Sequence, residues 1–285
     1  KRCLNIDSGR IQAQESQSKG IPTVREFFNE FSAEEIKSSH GQAKIIHGSG
    51  VLFHLEELHS AFSGIKSLLA PDGMLVAEFI YLPEMVNNCA YDQIYHEHLL
   101  YYSLTSLSLL LKQHDLQIFD AELAPIHGGT CIAKISHFGQ YTRTQECENF
   151  FRAESAAGVN DFNTYKDFGI QALRNRDALA GLISNYNEKG MKVHALGAPV
   201  KGSTIVNFCG FDIEQIACAV EINPYKFNTK IPGTRIPVFD EHQTETPDAY
   251  LLLSWNFKDE ILENFTHYRQ NGGQIVNPIP TPEII

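Results

Sequence analysis

The stretch LEELHSAFSGIKSLLAPDGMLVAEFIYL, residues 55–82, sets a helix pattern directly before a strand pattern, and this pairing decides the fold class. Over residues 55–70 the side chains Leu55, Leu58, Phe62, Ile65 and Leu69 recur three and four apart, on one side of an amphipathic helix. Pro71-Asp72-Gly73 reads as a turn. MLVAEFIYL (74–82) then reads as an apolar strand. Upstream, AKIIHGSG (43–50) is a strand ending in a Gly-rich turn, preceded by helical runs near 24–38 and 9–19. CLNI (3–6) looks like the end of a buried strand with Asp7 at its tip. Strands alternating with helices imply a parallel sheet wrapped by helices.

The same alternation resumes downstream. A helix is predicted over 103–115, then strands in LQIFDAELAP (116–125) and CIAKISHF (131–138), separated by His127-Gly128-Gly129. Residues 140–189 are polar and mostly helical, with no sheet signal. A second series follows: KVHALGA (192–198), a turn and helix through Phe208, then ACAVEIN (217–223), IPGTRIPVF (231–239) and AYLLLSW (249–255). A helix over Asn256–Gln270 and a last strand, QIVNPIP (274–280), close it. The expected fold class is α/β: two tandem Rossmann-like units over 1–139 and 191–285, joined by a helical connector over 140–190.

Composition narrows the function classes. The chain has 285 residues, 43% hydrophobic and 20% charged, with formal net charge −11. Its Lys and Arg residues are scattered, which argues against nucleic acid as the main partner. Its apolar runs are too short to span a bilayer, and the opening KRCLNIDSG has no apolar leader-type run. A cytoplasmic location is expected. The six cysteines form no CxxC pair, so no metal site is expected; they read as reduced, buried thiols.

YDQIYHEHLLYYS, Tyr91–Ser103, concentrates four tyrosines, two histidines, an aspartate and a glutamate. If it is helical, Tyr91, Tyr95, His98 and Tyr102 share a face; if extended, Tyr95 and Glu97 point away from His96 and His98. Either way Tyr95, Glu97 and His98 form the kind of cluster that general acid–base chemistry uses. A polar helix start over packed aromatics is the plainer alternative. Asp7 at a strand tip suits a carboxylate that takes ribose hydroxyls, although such residues also cap helices. The Gly-rich turn expected before it is not in this chain, so the first unit reads as a partial domain. GAPVKGST (197–204) joins a strand to a helix, and Lys201, Ser203 and Thr204 at that helix start could hold a phosphate. A tight turn with a surface lysine is the competing reading. His54 and His127 each follow an apolar stretch where a strand should end. His96 and His98 with Glu97 could form half a metal site, but no further ligand spacing completes it.

YDQIYHEHLLYYSLTSL, PIHGGT, GAPVKGSTIVNFCG, INPYKFN, IPGTRIPV and LLLSWNF, in this order, resemble the sugar-nucleotide C-methyltransferases. These enzymes make 3-C-methyl deoxysugars. The resemblance runs from about Asp7 to the C-terminus. It implies an S-adenosylmethionine cofactor and a nucleotide-sugar substrate, a thymidine diphosphate-linked 4-keto deoxysugar. It places Tyr95, Glu97 and His98 on the family's Tyr-x-Glu-His active-site motif and His54 on another active-site histidine. Asp7 falls on the acidic residue that takes the cofactor ribose. Lys201, Ser203, Asn207 and His127 fall on the substrate side. Gly50 and Ile132 stand where relatives carry Asn and Arg, and the family's zinc-binding N-terminal domain has no counterpart here. The expected chemistry is deprotonation alpha to the ketone, with His98 as base and Glu97 orienting it, then methyl transfer to the enolate. The competing readings are a non-catalytic sugar-nucleotide-binding remnant and a sugar-nucleotide oxidoreductase; the latter needs a GxGxxG motif that is absent.

Overall fold

A computed structural model describes residues 2–126 and 128–285. The chain forms two compact units that exchange segments: Lys1–Tyr81, Leu99–Ala124 and Thr130–Ala157 make the first, and Leu82–His98, Pro125–Gly129 and Gly158–Ile285 the second. The helical stretch after residue 140 is thus divided, with Gln145–Ala156 in the first unit and Phe162–Glu188 in the second.

In the first unit β1 (Asn5–Ile6) pairs in parallel with β2 (Thr23–Val24). A four-stranded sheet has the order β3 (Ala43–Ser49), β4 (Leu69–Ile80), β6 (Thr130–His137), β5 (Leu116–Ala124). β3 and β4 are parallel, whereas β6 is antiparallel to both β4 and β5. The wholly parallel sheet expected for this unit is therefore corrected. β5 and β6 are joined by a connection too short for a crossover helix, and such a connection yields an antiparallel hairpin. The helix Leu58–Leu68 buries Ala61, Phe62, Ile65 and Leu68, each burial contributing roughly 1.5–3 kcal/mol for a large side chain. Pro71-Asp72-Gly73, expected as a turn between helix and strand, lies inside β4, which already begins at Leu69. Ala43 faces Leu69 and Ile45 faces Met74, so the extra residues of β4 form a bulge and the strand continues through them.

The second unit is a seven-stranded sheet ordered β13 (Glu283–Ile284), β12 (Gln274–Asn277), β11 (Ala249–Leu252), β7 (Val193–Leu196), β8 (Cys218–Glu221), β10 (Pro237–Asp240), β9 (Thr229–Lys230). β12, β11, β7, β8 and β10 run parallel; β13 and β9 close the edges antiparallel. The helix Phe162–Glu188 buries Ala172, Asn175, Leu179, Ile183 and Tyr186, a three-and-four spacing that explains its otherwise polar sequence. The expected helix over Asn256–Gln270 is two helices, Lys258–Asn264 and Thr266–Gln270, after a short turn at Trp255–Phe257.

All six cysteines are free thiols; Cys3 is exposed and Cys209 half-buried, the rest buried. Among the described residues no helix is long and apolar enough to cross a membrane. No three His, Cys, Asp or Glu side chains among them gather as a metal ion would require.

Candidate active site

In the second sheet β7 is central. The chain moves outward from it to β8 and β10 on one side, and to β11 and β12 on the other. The carboxyl ends of β7 and β11 therefore flank a topological switch point, where open α/β sheets bind ligands. Gly197 follows β7 with φ +83°, and a Cβ there would overlap the Ser254 hydroxyl beyond β11. Glu221, at the end of β8, accepts from the backbone N–H groups of Ala198 (3.1 Å), Ile222 (3.0 Å) and Asn223 (3.2 Å) and from Lys226 Nζ (3.1 Å). Burial raises its carboxyl, but these donors outweigh burial and hold it below the ordinary carboxylate range.

The cluster at Tyr91–His98 lies in this unit. It is neither a helix nor a strand: a short 3-10 turn at Tyr91–Gln93 leads into irregular chain. Its start is tied down by buried partners. Tyr91 donates to Asn175 Oδ1 at 3.0 Å, and its ring lies 5.1 Å from that of Phe208. Asn175 Nδ2 donates to the carbonyls of Pro278 (2.9 Å) and Pro280 (2.8 Å). Asp92 is fully buried and accepts from the Trp255 indole N–H at 2.6 Å. Lys201 Nζ lies 4.0 Å from the same carboxylate oxygen and 4.2 Å from the centre of the Trp255 ring.

His98 is buried, with both ring nitrogens engaged. Nδ1 lies 2.8 Å from the Gln93 carbonyl and Nε2 2.7 Å from the Tyr95 hydroxyl. A carbonyl only accepts, so Nδ1 carries the proton of the neutral ring. Nε2 is then the basic nitrogen and Tyr95 donates to it. The acceptor that orients the imidazole through Nδ1 is thus a backbone carbonyl, in the place expected for Glu97. Glu97 is half-exposed, its carboxylate 3.8 Å from the exposed His96.

The remaining expected residues are distributed as follows. Asp7 is half-buried just beyond β1 and accepts from the Gly9 N–H at 2.8 Å. His54 ends a short 3-10 turn in the first unit and is exposed, its ring 4.5 Å from that of Phe53. Lys201 is not a surface lysine: only 8% of it is exposed, and its ammonium faces Asp92 and Trp255. Ser203 is half-buried in the first turn of Val200–Phe208. Asn207 is exposed and donates to the carbonyls of Ser203 (2.7 Å) and Pro232 (2.9 Å), stitching the helix to the IPGTR loop. His127 lies outside the described residues. Sequence reasoning did not single out Asp92, Gln93, Asn175 or Trp255 as site residues. One signal was available: Trp255 is the chain's single tryptophan and follows an apolar strand at the carboxyl edge.

Residues 125–280 match the family model described as the C-methyltransferase C-terminal domain, and residues 2–121 match a methyltransferase domain. C-methyltransferase NovU of Streptomyces niveus is 33% identical over 288 residues, an alignment covering all of this chain and 68% of that protein. Solved structures show more distant, partial likeness. One is the 1,6-didemethyltoxoflavin-N1-methyltransferase of Burkholderia thailandensis, with S-adenosylhomocysteine bound (17% identity, 48% of this chain and 61% of that one, TM-score 0.35). Another is the O-methyltransferase of a Brevibacillus brevis trans-AT PKS multienzyme (14%, 55% and 65%, TM-score 0.34). With both domain models matched in order, and a relative at this identity aligned end to end with the chain, the protein belongs to the C-methyltransferase family.

Proposed function

We propose that the chain is an S-adenosylmethionine-dependent C-methyltransferase acting on a nucleotide-linked 4-keto deoxysugar. The observation that supports this most directly is the imidazole of His98, fixed by the Gln93 carbonyl as the Nδ1–H tautomer with its basic Nε2 against the Tyr95 hydroxyl. A C–H bond next to a ketone is acidified by the carbonyl, and breaking it needs a base and a donor for the oxygen that gains charge. His98 Nε2 takes the proton from carbon C3, and the C–H electron pair moves through the new double bond onto the ketone oxygen. The Tyr95 hydroxyl, now resting on Nε2, turns to that oxygen as the base is used. His54 is proposed for the same oxygen or a sugar hydroxyl, and Glu97, half-exposed beside the base, for polarising the site. Ser203, Asn207 and His127 are proposed for the nucleotide-sugar.

Asp7 fits the cofactor. Only one of its carboxylate oxygens is engaged among the described residues, by Gly9, and an acceptor-only group at a strand's carboxyl end suits a ribose diol. S-adenosylmethionine supplies the electrophilic methyl group that the C3 carbanion takes.

Replacing His98 by Asn keeps size and polarity but removes the base. His98→Asn should slow methyl transfer by roughly 10²–10⁴-fold and abolish exchange of the C3 proton with solvent deuterium, while S-adenosylmethionine binding survives. Wild-type exchange in that variant would move the base elsewhere.

A further inference from the structure

The proton transfer proposed above does not use Asp92, Lys201 or Trp255, yet together they place two charges where water is excluded. Asp92 Oδ1 and Lys201 Nζ are buried without a hydrogen-bond partner among the described residues. At 4.0 Å the ion pair is loose. Desolvation costs several kcal/mol per buried ion and is recovered only in close, fully bonded pairs, so stability alone gives no account of this pair. Its position along the chain does. Asp92 directly precedes Gln93, whose carbonyl holds His98 Nδ1. Asp92 is itself gripped by the indole N–H of Trp255, 163 residues away.

We propose that Lys201 and Trp255 clamp the Asp92 carboxylate so that the adjoining Gln93 carbonyl is held where it fixes the tautomer and direction of His98. Asp92, Lys201 and Trp255 are thus positioning residues acting through Gln93. This rests on the acid–base reading of His98 for its consequence in catalysis, but not for the geometry of the ring. Two further features fit a rigid clamp. Gly128, at φ +89°, lies against the indole so closely that a Cβ would overlap it, and its carbonyl accepts from Asn88 Nδ2 at 3.2 Å. Tyr91, on the other side of Asp92, is anchored to Asn175.

The pair also has a pH signature. Burial pushes the Lys201 ammonium down to about 8, against the pull of Asp92, and burial raises Asp92 against Lys201 and the indole bond. Among the described residues, the other titratable groups beside Asp92 are Cys89, which burial raises to about 11, and Tyr91, which burial raises well above its ordinary value. Both stay neutral near pH 8. Raising the pH past about 8 therefore discharges Lys201 and frees one side of the clamp. The unfolded chain keeps that proton up to the ordinary lysine value, so the lysine makes folding stability rise across the same window. Titration of Lys201 by itself therefore does not favour unfolding there, and a thermal melt at each pH separates loss of the clamp from loss of the fold.

The test compares wild type with Asp92→Asn, Lys201→Met and the double variant, an uncharged near-isostere in which neither charge is stranded. Because Trp255 is the chain's single tryptophan, its emission reports on the clamp directly. It should titrate with a midpoint near 8 in wild type and not in Lys201→Met. Nitrogen-15 shifts of His98 should show one tautomer in wild type and a mixture in all three variants. With S-adenosylmethionine and a thymidine diphosphate-linked 4-keto deoxysugar, kcat should fall roughly 10–100-fold with KM within about twofold, and the double variant should recover Tm without recovering kcat. A double variant that recovers both, or an unchanged His98 spectrum in every variant, overturns the proposal. Wild-type turnover in His98→Asn would instead sink the acid–base reading and leave the spectroscopic result to judge the clamp.

Discussion

A histidine becomes a base of defined direction only when something fixes which nitrogen carries the proton. For His98 that something is the Gln93 main-chain carbonyl, two residues before Tyr95, so the orienting group leaves no trace in side-chain identity. Gly128 is the second residue whose type has a definite cause. Its φ of +89° and its contact with the Trp255 ring exclude any Cβ. Gly128→Ala should destabilise the protein by about 1–3 kcal/mol and shift the Trp255 emission, measured by thermal unfolding and fluorescence. An unshifted spectrum would show that the ring does not depend on that contact. Tyr95 and His98 could be read as candidates because their types cluster in sequence. Asp92 could not, because its partners Lys201 and Trp255 are more than a hundred residues away and its own neighbours give no sign of burial.

At the scale of elements, helix Leu104–Lys112 shows how a start signal and a tertiary contact divide the work. Ser103 and Ser106 form a reciprocal capping box at bonds of 3.0 Å each. The remaining free N–H groups of Leu104 and Thr105 are taken by Glu154, at 2.6 and 2.8 Å, from the helix Gln145–Ala156. Glu154 is buried and also accepts from Tyr81 at 2.8 Å and from the Thr105 hydroxyl at 2.5 Å. Glu154→Ala strands these donors and should cost about 2–4 kcal/mol, read as a lower denaturation midpoint. A loss under about 0.5 kcal/mol, the level of an ordinary surface change, would show that solvent replaces the carboxylate. The longer helices were legible from spacing and composition, but the short helix Leu82–Asn87 was not. Element ends were less so: Pro71-Asp72-Gly73 has turn composition, yet β4 runs through it as a bulge, because Leu69 before it pairs with Ala43 and Met74 after it pairs with Ile45. Local turn propensity does not end a strand that pairs with the same neighbour before and after it.

Over the whole molecule, the two α/β series predicted from the sequence are present, but the units are not two consecutive pieces. Leu82–His98 and Pro125–Gly129 are built into the second unit although their flanking strands belong to the first. The proposed functions divide accordingly, with Asp7 in the first unit serving the cofactor and Asn207 in the second serving the nucleotide-sugar. Calorimetric titration should find Asp7→Asn binding S-adenosylmethionine roughly tenfold or more weakly with thymidine diphosphate affinity unchanged. Asn207→Ala should show the reverse. Unaltered S-adenosylmethionine affinity in Asp7→Asn would remove that residue from the cofactor site.

By itself the sequence determined the fold class, the order of the longer strands and helices and the clustering of Tyr95 with His98, because periodicity and local composition are short-range properties written within a few residues. Tertiary structure alone decided the membership of the units, the antiparallel turn of β6, the burial of Lys201 and the clamp around Asp92. Each of these depends on which distant segments exclude water from one another. Burial is a property of the assembled surroundings, and a lysine beside a Gly-rich turn reads the same in sequence whether its ammonium meets solvent or an indole ring.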